Sequence, residues 1–227
     1  MKKTLKRKKV AVVGGNGKMG SAVCNALSLD YDIFVIQRGD KFPKNLELVV
    51  DFGSGESSAI SAAWCKENGV PLIVGATGQN ESELAEIENA SKFVAVVLAQ
   101  NFSEGLVLMK NTLKCIITKK AENVIIFEKH HKAKKDAPSG TAKNLKQFIG
   151  EFYAGDIQMI FERGGKEIGT HTVDCYFDNE MIGITHKAFS RDAFADGVKK
   201  TADWLFDGEK KQSGLYSFDD ICVLDKK

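Results

Sequence analysis

A chain of 227 residues is long enough for one large domain or two small ones with properly buried cores. Its 43% hydrophobic and 27% charged residues are those of an ordinary globular protein and exclude a disordered chain. A formal charge of +2 is too small to imply a nucleic-acid or membrane partner, and no apolar stretch approaches the ~20 residues a membrane helix needs.

The chain opens with a basic run, MKKTLKRKK, which reads as a solvated tail because neither an apolar signal core nor a small-residue cleavage site follows it. Short β-branched runs then predict strands at 10–13, 33–36, 48–52, 72–74 and 93–98. Between several of them lie helix patterns at 18–29, 57–68 and 81–90; the second stops at Gly69 with Pro71 just beyond. Near-continuous apolar strands separated by helices predict a Rossmann-type α/β domain, a doubly wound parallel sheet covered on both faces.

After Asn101 the rhythm changes. A helix pattern at 103–118 places Leu106, Met109, Leu113 and Ile117 on one face, and a strand at 124–127 follows. A lysine-rich loop leads to a helix at about 141–152, then to three strand-like runs at 157–161, 171–177 and 181–188. Consecutive strands without intervening helices predict a second α+β domain with a mixed or antiparallel sheet. A last helix at 192–206 is expected to return to the first domain. The expected division is therefore residues 1–102 plus 191–227 for a dinucleotide-binding domain, and 103–190 for a substrate-binding domain.

The five cysteines (Cys24, Cys65, Cys115, Cys175, Cys222) are odd in number and scattered, without CxxC or metal-type spacing. Most read as small core residues. They point to a reduced, cytoplasmic protein with no metal site and no cysteine nucleophile.

Two stretches carry chemistry. Directly after the first strand comes Gly14-Gly15-Asn16-Gly17-Lys18-Met19-Gly20, where glycines let the backbone turn sharply and approach a pyrophosphate at a helix N-terminus. A tight turn without a ligand would use the same residues, but the placement in a βαβ unit favours a dinucleotide. The position after the second strand, which usually carries a ribose-binding acid, reads Gln37-Arg38. Arg38 suits a 2′-phosphate, so NADPH is expected to serve at least as well as NADH. Two further loops, Gly75-Ala76-Thr77-Gly78 and Ala99-Gln100-Asn101-Phe102-Ser103, follow strands at the same sheet edge, where ligands of open α/β sheets bind.

The second stretch, Glu128-Lys129-His130-His131-Lys132-Ala133-Lys134-Lys135-Asp136-Ala137-Pro138-Ser139-Gly140-Thr141-Ala142, lies between a strand and a helix start with Ser139 as a natural N-cap. Lysines beside a free helix N-terminus make an anion receptor, and adjacent histidines add a proton donor near neutral pH.

This segment closely resembles the E-x-H-H-x-x-K-x-D-A-P-S-G-T-A motif of the 4-hydroxy-tetrahydrodipicolinate (dihydrodipicolinate) reductase family of lysine and diaminopimelate biosynthesis. The Gly14–Gly20 loop, the turn at Gly75–Gly78, the Asn101-Phe102-Ser103 segment, Gly169-Thr170-His171-Thr172 and Ile184-Thr185-His186-Lys187-Ala188 followed by Ser190-Arg191 resemble other family segments in the right order. The resemblance implies that His130 protonates the substrate carbon and that Lys134 assists it. It implies that His131, Gly140 and Thr141 hold a cyclic imine bearing two carboxylates. It implies a site for NADPH or NADH lined by Gly14, Asn16, Gly17, Lys18, Met19, Gln37, Arg38, Gly75, Ala76, Thr77, Ala99, Gln100, Asn101 and Phe102, with Arg191 and Phe194 approaching it. It also implies a homo-oligomer, a tetramer built through the second-domain sheet. This sequence departs from the family at Ala76, where Ser or Thr is usual, at Gln37, where an acid is usual, and in being shorter around 38–48 and 163–168. Two rivals remain on the residues alone: another two-domain amino-acid or semialdehyde dehydrogenase, and a non-catalytic dinucleotide sensor.

Overall fold

The computed structural model describes residues 6–117, 121–208 and 210–224. The first five residues of the basic opening, and the end of the predicted fourth helix at Thr118, lie outside them. The chain forms two units: the first runs to Phe102 and resumes at Phe194, and the second is Ser103–Ala193. Arg191, expected with the first unit, stands in the second.

The first unit holds β1 (Lys9–Val13), α1 (Lys18–Ser28), β2 (Asp32–Ile36), β3 (Leu48–Asp51), α2 (Gly55–Asn68), β4 (Leu72–Val74), α3 (Glu81–Ser91) and β5 (Ala95–Leu98). These predicted elements appear within a few residues of their expected ends. Their strands pair in parallel in the order β5-β4-β3-β1-β2. Irregular residues 37–47 cross from β2 to β3 in place of a helix, which accounts for the short segment noted there. The strands are apolar on both faces: Val10, Ala11, Val12, Leu48, Val49, Val50, Leu72, Ile73 and Val74 are all buried. That pattern requires cover on both sides. Capping boxes start two of the covering helices, with Ser54 on α2 and Asn80 on α3, and Gly69 ends α2 with a left-handed φ of 66°.

The second unit holds α4 (Glu104–Ile117), β6 (Asn123–His130), α5 (Gly140–Gly150), β7 (Ile157–Arg163), β8 (Gly169–Phe177) and β9 (Glu180–Ala188). Its sheet runs β7-β6-β8-β9, with β6 parallel to β7 and antiparallel to β8, so it is mixed. The four apolar residues of α4 expected on one face are all buried, packed with Leu145 and Ile149 of α5 over Val124, Ile126, Val173 and Cys175. Fully burying a side chain of this size contributes roughly 1.5–3 kcal/mol.

α6 (Asp192–Phe206) joins the first unit from Phe194 onward. Two later elements escaped the sequence reading: β10 (Gly214–Tyr216), which pairs in parallel with β5 as a sixth strand, and α7 (Phe218–Leu224). A three-residue strand offers too little pattern to declare itself. Only Cys65 and Cys175 of the five cysteines are buried, whereas Cys115 is exposed. The expectation that most are core residues is corrected accordingly.

Candidate active site

The register of the first sheet aligns the ends of its strands. Val13 pairs with Ile36 and Asp51, Asp51 with Val74, and Val74 with Leu98. The loops that follow, 14–17, 37–40, 52–54, 75–78 and 99–103, therefore leave the sheet at one edge. At Gly14 the backbone has a φ of 74°, and an added Cβ would stand 2.9 Å from Gly53 N and Phe52 O. At Gly20 an added Cβ would stand 2.1 Å from Gly14 O, so helix α1 can seat against its own loop only without a side chain there. Gly17 caps α1 without a side-chain bond, and no acid stands in the first turn, which leaves that helix end suited to an anion. Asn16, Gly17 and Lys18 are exposed, and Met19 is half-buried.

Asp51, fully buried, ties two of these loops together. Its Oδ1 accepts from Gly53 N–H (2.8 Å) and Ser57 Oγ (2.9 Å), its Oδ2 from Ser61 Oγ (2.7 Å), and its carbonyl from the Gly75 and Ala76 N–H groups. Burial nevertheless pushes its carboxyl above the usual range. The space a Cβ at Gly75 would occupy holds the Phe52 ring, 2.2 Å away. Phe102 is itself buried, between Phe52 (6.0 Å) and Phe218 (5.3 Å), so its ring supports the loop from beneath. Ala76 is buried, Thr77 and Gln100 are exposed, and Ala99 and Asn101 are half-buried.

A cavity of about 510 Å³ opens beside this edge, lined by Gly14, Gln37, Arg38, Asp40, Glu56 and Ile60 among others. Gln37 donates its backbone N–H to Asp40 Oδ2 (2.8 Å), and Arg38 reaches Glu56 at 3.2 Å with its side chain 90% exposed. Asp40 and Glu56, which sequence reasoning did not assign to the site, bring two acids to this cavity.

In the second unit, β6 alternates: Val124, Ile126, Glu128 and His130 face inward, and its last two inward positions are polar. Register places His171 of β8 opposite Glu128, and Arg163 of β7 opposite His130. The result is a buried ionic cluster. Glu128 Oε1 accepts from Arg163 (2.6 Å) and from Ser139 N–H (2.9 Å). Its Oε2 lies 3.5 Å from His130 Nδ1 and 3.7 Å from His171 Nε2. His171 Nε2 also lies 3.3 Å from Ser139 Oγ, and the two imidazoles meet edge to face at 5.1 Å.

Burial opposes the charge on Glu128, but its contacts with His171, Ser139 and Arg163 outweigh burial and hold the carboxyl far below the usual range. Burial, then the neighbouring His171, lowers His130 to about 4. Glu128, His130 and His171 each bring a possible metal-ligand atom within 4.8 Å of the others. Arg163 already supplies the positive charge that a cation would bring to this carboxylate.

The loop from His131 to Ser139 closes against α5. Ser139 caps the helix, its Oγ accepting from Ala142 N–H (3.2 Å), as the sequence predicted. Helix α5 begins at Gly140, one residue before its expected start, so Gly140 and Thr141 form its first turn. Lys134 Nζ lies 2.8 Å from Asp136 Oδ1. Burial acts against the Asp136 charge, but Lys134 and the Gly140 backbone N–H hold its carboxyl below the usual range. His131 donates its N–H to Glu167 O (2.7 Å). The structure thus brings His130, His131, Lys134, Gly140 and Thr141 to one segment, and adds Glu128, Arg163 and His171, to which the sequence reading gave no role. The strand expected at 124–127 in fact runs to His130, and this extension brings Glu128 onto the buried face with His130; the other two depend on register.

Residues 105–222 match the family dihydrodipicolinate reductase, C-terminus, and residues 28–102 match the family dihydrodipicolinate reductase, N-terminus. The chain belongs to the dihydrodipicolinate reductase family. It is 31% identical over an alignment of 257 residues to the 4-hydroxy-tetrahydrodipicolinate reductase of Campylobacter concisus, which covers 96% of this chain and 99% of that protein. It is likewise 31% identical over 256 residues to the enzyme of that name from Sulfurimonas denitrificans, covering 95% and 99%. Both alignments exceed the 227 residues of this chain, so these family members carry segments that it lacks. Its fold is that of a dipicolinate-bound dihydrodipicolinate reductase from Paenisporosarcina sp. TG-14, with a TM-score of 0.75, 20% identity and coverage of 95% and 100%.

Proposed function

We propose that this chain reduces 4-hydroxy-tetrahydrodipicolinate to tetrahydrodipicolinate with NADPH or NADH, as a step of lysine and diaminopimelate biosynthesis. The observation that carries the proposal is a carboxylate already in place. Asp136 lies on Lys134 Nζ and on the first backbone N–H of α5, and Lys134 is itself one of the charges acting on His130. A site that holds one carboxylate this way suits the same group on a ligand.

The glycine-lined end of β1 and the cavity beside Gln37 and Arg38 fit a dinucleotide. Gly14, Asn16, Gly17, Lys18 and Met19 would take the pyrophosphate, Gln37 and Arg38 the adenosine ribose, and Gly75, Ala76, Thr77, Ala99, Gln100 and Asn101 the nicotinamide end, with Phe102 beneath. Arg191 would approach the same cofactor. When bound, the nicotinamide supplies the hydride that adds in conjugate fashion to the dehydrated, α,β-unsaturated imine.

The remaining work belongs to the chain's own side chains. Lys134, His131, Gly140 and Thr141 hold the two carboxylates and fix the ring's orientation. His130 gives a proton to the carbon next to the one reduced, which turns the enamine back into an imine. One hydride and one proton thus enter the substrate, and the water lost in its dehydration leaves it. Because His130 is neutral in the free protein, it must gain its proton as the dianionic substrate arrives.

A cytoplasmic homotetramer is the proposed state. It is supported by the outward face of the mixed sheet, where Ile160, Tyr176 and Met181 stand exposed. No helix among the described residues is long and apolar enough to cross a membrane.

The test follows NAD(P)H absorbance with substrate made in situ by the preceding synthase. Substrate-dependent oxidation is expected. Asp136→Asn should lower the substrate KM about two- to ten-fold, because the resident carboxylate no longer competes for Lys134. No oxidation with either cofactor would contradict the proposal.

A further inference from the structure

Glu128 is more tightly bound than a core residue requires, and one of its oxygens still lacks a partner. Its side chain is 1% exposed. Oε1 is fully engaged by Arg163 and by Ser139 N–H, whereas Oε2 accepts no hydrogen bond. Two imidazoles approach Oε2, His130 Nδ1 at 3.5 Å and His171 Nε2 at 3.7 Å; His171 Nε2 also lies 3.3 Å from Ser139 Oγ, whereas His130 Nδ1 is buried without a hydrogen-bond partner. Two such groups left unpaired would cost about 1–3 kcal/mol each, so a proton shared between them is the economical arrangement. Bonds of this kind are often long in a ligand-free protein and tighten with substrate.

We propose that Glu128 is the positioning residue of the proton donor: it takes the Nδ1–H of His130 and so fixes Nε2 as the nitrogen that serves the substrate. This inference rests on the reading of His130 as that donor.

The other edge of the ring supports it. An added Cβ at Gly169 would stand 3.0 Å from His130 Nε2 and 3.4 Å from Cδ2. The φ of Gly169 is not among the positive values, so the backbone does not demand glycine there. What its bare Cα provides is clearance beside Nε2. One edge of the imidazole thus faces a fixed negative charge, and the other is kept free of a side chain.

Arg163 makes the arrangement rigid. It neutralises Glu128, and it also donates to the Asp136 carbonyl (2.6 Å), which ties the carboxylate to the loop carrying Lys134. The charged and titratable groups facing His130 are Glu128 on its own strand, Arg163 from β7, His171 from β8 and Lys134 from the loop. Burial, then His171, keeps the ring neutral while Glu128 and Arg163 act on it in opposite senses, until two substrate carboxylates arrive. The imidazolium that then forms has Nδ1–H held by Glu128 and Nε2–H left to donate. After transfer, the ring is neutral again with its proton on Nδ1. The hydrogen bond made by one imidazole nitrogen determines which tautomer the other can use.

Nitrogen-15 NMR of the wild-type protein at neutral pH, with the His130 signals assigned by loss in His130→Gln, reads the tautomer directly. A proton on Nδ1 is expected; a neutral ring protonated on Nε2 overturns the proposal. In kinetics, Glu128→Gln should lower kcat about 10- to 100-fold, the range typical of a lost orienting partner. It should also move the high-pH limb of the kcat profile to lower pH, because removing a negative charge makes the imidazolium more acidic. Wild-type kcat and an unmoved limb in Glu128→Gln, beside a His130→Gln that loses turnover, would overturn this inference alone. Full turnover in His130→Gln would instead defeat the donor assignment on which it rests. If Glu128→Gln does not fold, the wild-type tautomer still decides.

Discussion

The two candidate ligand ends of this protein are built from different materials. The end of the parallel sheet is made of backbone: glycines that admit close approaches, a helix N-terminus without an acid, and polar side chains that are mostly exposed. The end of the mixed sheet is made of side chains, with a buried carboxylate, two buried imidazoles and a guanidinium within hydrogen-bond or ion-pair reach of each other. The first is suited to reading shape and phosphate charge, as proposed above, without a titratable group. The second is a prearranged electrostatic device, and its state depends on protonation. Substitutions in the one should therefore act through sterics, and in the other through charge.

The largest effect is expected where charge does the chemistry. His130→Gln should cut turnover roughly 10²–10⁴-fold, the usual worth of a positioned general acid, with little change in substrate KM. Near-normal turnover would show that the ionic cluster is only structural. In the backbone-built end, Gly20→Ala should weaken dinucleotide binding severely and destabilise the protein by about 1–3 kcal/mol, since the new methyl meets Gly14 O. Fluorescence titration with NADPH and chemical denaturation read the two losses separately.

Acid stability comes next. Burial lowers His130 from its ordinary 6.5 to about 4, so between those values the folded state binds fewer protons than the unfolded one. Stability is then fully present above about pH 6.5 and falls as pH drops toward 4, by at most about 3 kcal/mol. Glu128, also depressed in the folded protein, adds a further loss below its ordinary 4.5. Denaturation between pH 4 and pH 7 should show this slope, and His130→Gln should flatten its upper part. The smallest effect belongs to Arg38, exposed and paired with Glu56. Arg38→Ala should lower the use of NADPH relative to NADH about ten-fold or less, read from steady-state kinetics with both cofactors.

The same contrast explains what could be read from the sequence. The parallel domain announced itself because its signals are local: apolar runs, the helix stop at Gly69 with Pro71 beyond it, and a glycine turn directly after a strand. The motif around His130 was equally legible, and Ser139 took the capping place its position implied. What stayed hidden depends on pairing between distant segments. His171 and Arg163 reach Glu128 only because β8 and β7 flank β6 in one particular register, and no local pattern fixes that. The expected strand stopped at 127 and left Glu128 and His130 in a loop; β6 runs on to His130, and that extension is what puts the two side chains on one buried face. The strand at Gly214–Tyr216 was too short to separate from a loop. The Glu56 partner of Arg38 comes from the start of α2, eighteen residues further on.

Isotope tracing tests the shared work of the two ends most directly. Reduced nicotinamide cofactor carrying deuterium at the transferable C4 position is supplied with synthase-made substrate in ordinary water, and the product is examined by mass spectrometry and NMR. The account predicts one deuterium on the reduced ring carbon and a solvent-derived hydrogen on its neighbour, with the rate of product formation collapsing in His130→Gln. A product that carries no cofactor deuterium would contradict it.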